Sequence, residues 1–101
     1  MEMFDIKKIK ACPYENRDKN ILYSQNNFKV RIIELPPNGE MQTCKMESYV
    51  IFYAIKGEAE IRINQKKKIL SEGKCFITEP STLSMKTKKG VKILGIQIIQ
   101  Q

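Results

Sequence analysis

Short runs of Ile, Val, Tyr and Phe recur about every ten residues along this chain, and turn-forming residues separate nearly every run from the next. A helix would bring apolar residues back at three and four; these runs alternate or stay apolar throughout, which is the pattern of strands. The strands it predicts are Phe28–Leu35, Tyr49–Ile55, Glu58–Ile63, Lys67–Leu70, Lys74–Thr78, Ser84–Thr87 and Val91–Ile99, with shorter pieces at Ile6–Ile9 and Ile21–Tyr23. The breaks are chemical. Pro36-Pro37-Asn38-Gly39 ends any strand, Lys56-Gly57 interrupts one, Asn64-Gln65 suits a hairpin, and Glu79-Pro80-Ser81 and Lys89-Gly90 close later ones. Such a series of short strands and tight turns makes an all-β sandwich or barrel.

Alternation then assigns faces. In Glu58–Ile63 the residues Ala59, Ile61 and Ile63 share one face while Glu58, Glu60 and Arg62 share the other, as in a half-buried strand. Tyr49–Ile55 is apolar or aromatic at every position, so Val50, Phe52 and Ala54 on one side and Ile51, Tyr53 and Ile55 on the other both need cover. Val91–Ile99 repeats this, with Leu94, Ile96 and Ile98 opposite Ile93 and Ile99. A barrel interior takes one face only. The second is expected to meet the N-terminal residues Phe4, Ile6 and Ile9 or another subunit, and a symmetric homodimer is the expected partner.

With 101 residues and 11.7 kDa the chain is expected to form one domain over 1–101, with residues 1–20 as an N-terminal arm and 28–98 as the barrel core. No apolar stretch approaches the roughly 20 residues of a membrane span, and Met1-Glu2-Met3-Phe4-Asp5 does not open like a secretory signal, so a cytoplasmic location without membrane contact is expected. Cys12, Cys44 and Cys75 are odd in number and widely spaced, which indicates reduced thiols and neither a disulfide framework nor a zinc knuckle. The net charge of +7 comes from 18 Lys and Arg against 11 Asp and Glu, the lysines gathering at 7–10, 66–68 and 86–92. No aromatic residues interleave with them as a base-stacking surface requires, so nucleic acid is not an expected partner.

There is no histidine. Imidazole is the commonest metal ligand and the usual general base near neutral pH, so its absence removes the ordinary routes to metal catalysis and proton transfer.

Over residues 28–98 the order of these parts resembles the cupin superfamily, in particular small single-domain members of the cupin 2 conserved-barrel type. Anchoring the last glycine of the first cupin motif on Gly57, in Tyr53-Ala54-Ile55-Lys56-Gly57-Glu58, sets the family's two histidines at Cys44 and Met46 and its glutamate at Val50. Pro37-Asn38-Gly39 resembles the opening of that motif, with Gly39 one residue late. Anchoring the second motif on Gly73 sets its proline at Glu79, its second glycine at Ser81, its histidine at Ser84 and its asparagine at Lys88. The resemblance implies a jelly-roll β-barrel of two packed antiparallel sheets whose metal-binding motifs have degenerated to Cys44, Met46, Val50 and Ser84.

Valine and serine are not ligands for Mn(II), Fe(II) or Zn(II), so no metal, no other cofactor and no catalytic residue is expected. Cys44 and Met46 are soft donors suited to Cu(I), but two ligands are too few to define a site. The reading that follows is a metal-free, non-catalytic barrel that binds or senses an unknown small molecule. Its predicted site is Cys44, Met46, Val50, Phe52, Ala54 and Ser84, with the Ser84 hydroxyl orienting the ligand. The alternatives are an isomerase-like or dioxygenase-like enzyme with an unorthodox site, and a protein interaction module.

Overall fold

The structure, a computed structural model, describes residues 1–99; Gln100 and Gln101 lie outside the described residues. A short 3-10 turn at Arg17–Asn20 precedes eight strands: β1 (Ile21–Ser24), β2 (Phe28–Leu35), β3 (Glu40–Met46), β4 (Tyr49–Ile63), β5 (Lys66–Ser71), β6 (Cys75–Thr78), β7 (Ser81–Lys86) and β8 (Val91–Ile98). All pairings are antiparallel. One sheet runs β1-β2-β8-β4-β6 and the other β5-β4-β7-β3, so β4 belongs to both and the two sheets close over a shared core as a jelly roll.

β4 is where the expected break at Lys56-Gly57 gives way to a single strand of fifteen residues. Two devices carry it from sheet to sheet. Ala54 pairs with Ile93 and Lys56 with Lys92, so Ile55 is an extra residue, a bulge that bends the strand. The bulge also reverses the parity of side chains. Val50, Phe52 and Ala54 face the core before it; Ala59 and Ile61 face the core after it. Gly57 then turns with φ 80°, and a Cβ there would stand 2.3 Å from the Gly90 carbonyl oxygen.

That closed end of the barrel is pinned by a buried threonine. Thr87 Oγ1 donates to the Glu58 carbonyl at 2.7 Å and accepts from the Gly90 N–H at 3.0 Å. Thr87→Val keeps the shape and strands both backbone groups. It is expected to lower the urea midpoint by the equivalent of about 1–3 kcal/mol without changing the slope of the unfolding transition.

Other expectations are corrected. Ile6–Ile9 forms no strand, and a turn occupies residues 6–8. β3 was not expected, because Glu40-Met41-Gln42-Thr43-Cys44-Lys45-Met46 lacks a run of β-branched or aromatic residues; its pairing with β7 makes it a strand. β7 begins at Ser81, three residues ahead of the expected Ser84. The Asn64-Gln65 hairpin forms as expected, with φ of 46° and 75° suited to a two-residue primed turn.

The outer face of the first sheet is apolar in three successive rows. Phe28, Ile98 and Tyr49 make one row, Val30, Ile96, Ile51 and Ile77 the next, and Ile32, Leu94, Tyr53 and Cys75 the third. Cover is uneven. Ile32 is 1% exposed although it lies outside the interior cluster, on the side where Lys92 Nζ donates to the carbonyls of Lys7 (3.3 Å) and Ile9 and so holds the N-terminal segment. Toward β4 and β6 the expected cover is missing among the described residues: Tyr53 is 42% and Ile77 66% exposed.

Candidate functional site

At the end of the barrel away from Gly57, inward-facing side chains of four strands converge. A one-residue bulge in β3, between the pairs Met41–Met85 and Cys44–Leu83, keeps Met41 and Cys44 on the interior side although they are three apart. Met46 follows by ordinary alternation, and the Cys44 Sγ lies 3.7 Å from the Met46 Sδ. Arg31 of β2 stands opposite Gly95 of β8, and both line the mouth; the space a side chain at Gly95 would need is taken by the Phe52 ring and Ile33. Gln97 of β8, opposite Val50, donates from Nε2 to the Ser48 hydroxyl at 2.8 Å, which fixes its amide.

The segment before β1 closes this end. Cys12 N–H donates to Asn20 Oδ1 at 2.7 Å and Asn20 Nδ2 donates back to the Cys12 carbonyl at 3.1 Å, which ties residues 12–20 into a loop and sets Tyr14 against the core. Tyr14, Arg31, Met41, Cys44, Met46, Val50 and Gln97 thus line one cavity of about 30 Å³, room for a single water. Outside it, Arg31 and Gln97 also line an open vestibule of about 560 Å³ whose rim carries Glu15, Asp18, Lys19 and Lys29. The inner chamber is small and mostly apolar; the vestibule is wide and charged.

Of the six predicted site residues, Cys44, Met46 and Val50 meet here. Phe52 and Ala54 lie deeper as packed core, Phe52 stacking on Phe76 at 6.4 Å between centroids. Ser84 does not join them. Its neighbours Leu83 and Met85 are the buried ones, so Ser84 faces outward opposite Arg62, in a polar groove with Glu60 and Lys86 on the far side of the second sheet. The cause is a slip of one residue: Pro80 stands one place beyond the motif's proline position, and moving the frame with it puts the inward Met85 where the histidine would be.

Arg31, Gln97 and Tyr14 were not among the predicted residues. For Arg31 and Gln97 a signal existed, since each is a polar residue in phase with buried neighbours, Arg31 with Ile33 and Leu35 and Gln97 with Ile93. Tyr14 lies in a loop without periodicity and had none.

Solved structures match the chain well in shape and distantly in sequence. A protein from Thermus thermophilus superposes with a TM-score of 0.83 at 16% identity over 100% of both chains. A cupin superfamily protein from Desulfitobacterium hafniense gives 0.78 at 14%, covering 95% of this chain and 88% of that one. The Cnp3 cupin domain of Schizosaccharomyces pombe gives 0.74 at 18%, covering 79% of this chain and 62% of that one.

The chain has the cupin fold. No family model and no curated protein matches its sequence. The fold implies a divalent ion held by imidazoles and a carboxylate, and the donors here do not fit one: a thiol, a thioether and an aliphatic side chain meet at the mouth, with Leu83 and Met85 across from them. Among the described residues no three of His, Cys, Asp and Glu gather as a metal site. For a soft cation such as Cu(I), Met41 adds a third sulfur, but the Arg31 guanidinium lines the same chamber and opposes a second positive charge.

Proposed function

We propose that this cupin-fold protein binds or senses a small, partly apolar organic anion and performs no catalytic step of its own. The observation that carries the reading is the convergence of one guanidinium, Arg31, and one fixed amide, Gln97, on the rim of an otherwise apolar sulfur-lined chamber. Binding pockets of this kind join apolar walls to a few polar groups that set orientation, and a guanidinium suits a carboxylate by offering paired donors. The anion would sit in the vestibule on Arg31, with its apolar end directed toward Cys44 and Met46. A cytoplasmic site of action is proposed with it, supported by three cysteines that all stand free.

The test is thermal unfolding in the presence of a panel of small carboxylates and their uncharged amides. A carboxylate at 100 times its Kd should stabilise the protein by about 2.7 kcal/mol, and its amide should not. Arg31→Ala should remove that gain, whereas Ser84→Ala, on the opposite face, should leave it intact. Equal stabilisation of wild type and Arg31→Ala by the same carboxylate would refute the assignment.

A further inference from the structure

We propose that the carboxylate held at Arg31 belongs to a small amino acid, whose ammonium group is taken by Glu15 and Asp18 of the same vestibule. This rests on the carboxylate reading above and names the class of molecule within it. Lys29 and Arg31 alternate along β2 on the interior side of the sheet, and Gln97 of β8 pairs with Lys29, so the sheet gives the vestibule a cationic lining with one amide. The loop before β1 gives it the opposite sign, through Glu15 and Asp18 with Lys19 beside them. One element suits a carboxylate and the other an ammonium.

These charges do not neutralise one another. Among the described residues neither the Glu15 nor the Asp18 side chain makes an ion pair or a hydrogen bond; the ion pairs lie elsewhere, at Lys8–Asp5 and Lys86–Glu60. Groups of both signs thus stand around a space of about 560 Å³ without closing it, which leaves them for a molecule that carries both. The loop is also held in place. Besides the tie between Cys12 and Asn20, the Asn16 N–H donates to the Pro13 carbonyl at 2.9 Å and the Lys19 N–H to the Asn16 carbonyl at 3.0 Å, so the backbone around Glu15 and Asp18 is set before a ligand arrives. The inner chamber of about 30 Å³ limits the apolar end to roughly a single small group such as a methyl.

Propionate, free alanine and free β-alanine share a carboxylate and differ only in whether and where an ammonium is attached. Titrated into the wild type and followed by backbone amide shifts, alanine or β-alanine should bind about 5-fold more tightly than propionate. Glu15→Gln combined with Asp18→Asn should bring that ratio to unity, with the far-UV circular dichroism unchanged because both side chains are exposed. Propionate that binds as tightly as both amino acids overturns the ammonium site and leaves the Arg31 reading standing. A preference for the amino acid that survives in the double variant overturns the assignment to Glu15 and Asp18. Affinities that Arg31→Ala leaves unchanged remove the carboxylate reading and the amino acid with it. A wild type that responds to none of the three overturns the amino acid, and the wider carboxylate panel then judges Arg31 alone.

Discussion

Gly57→Ala is expected to cost about 3 kcal/mol or more, which in a domain of this size lowers the melting temperature by roughly 12–24 °C. Two effects add. At φ 80° any Cβ crowds its own backbone, an expense of about 1–2 kcal/mol. The new methyl would also stand 2.3 Å from the Gly90 carbonyl oxygen, and that peptide has little freedom to retreat because it leads directly into β8 at Val91, which is paired on both sides, with Leu35 and with Gly57. Gly73 separates the two contributions, since it shares the conformation at φ 84° but has nothing within 4 Å of a built Cβ. Gly73→Ala should therefore lose only the conformational part, about 1–2 kcal/mol. Thermal unfolding of both variants decides the matter, and equal losses would show that the close approach of β4 to Gly90 contributes nothing.

Deleting Ile55 is expected to abolish the native fold, although Ile55→Ala should cost only about 1 kcal/mol. The position matters as a count of residues more than as a side chain. Ile55 is the extra residue against β8, and it moves the core-facing positions of β4 from even numbers (Val50, Phe52, Ala54) to odd ones (Ala59, Ile61). Without it, either Glu58, Glu60 and Arg62 turn inward against Leu70, Leu83 and Met85, or the pairing with β8 breaks. Burying those charges costs more than a domain of this size has in reserve. Amide dispersion in a nitrogen–proton correlation spectrum is the readout. A deletion variant with wild-type dispersion and a wild-type unfolding midpoint would contradict the parity argument.

Side-chain parity also governs how much of the molecule was legible in its sequence. β2 and β8 were readable to within a residue because, Gly95 apart, their buried positions are Ile, Leu and Val, and such apolar runs are a local property of the strand. β3 was not, since two of its three inward sulfur side chains, Met41 and Cys44, are three residues apart across a bulge that no local pattern announces. The spacing of the cupin motif groups Cys44, Met46 and Val50, and the three side chains lie together in the structure. Ser84 was misplaced by the single residue that separates Glu79 from Pro80, and in a strand a single residue is enough to exchange inside for outside. Arg31 and Gln97 were in view as polar residues on buried faces. What they share, a chamber closed by Tyr14, depends on the Asn20 side chain reaching back eight residues to Cys12.

The fold class, the order of most strands and the lack of any imidazole can be read along the chain, because alternation, turn residues and composition act over a few residues at a time. Which side chains share the mouth, which face Ser84 takes and how much of the outer sheet stays open are set by long-range packing. Those follow from bulges, from pairing between strands distant in the chain and from where the N-terminal segment is tied, none of which any short stretch of residues specifies alone.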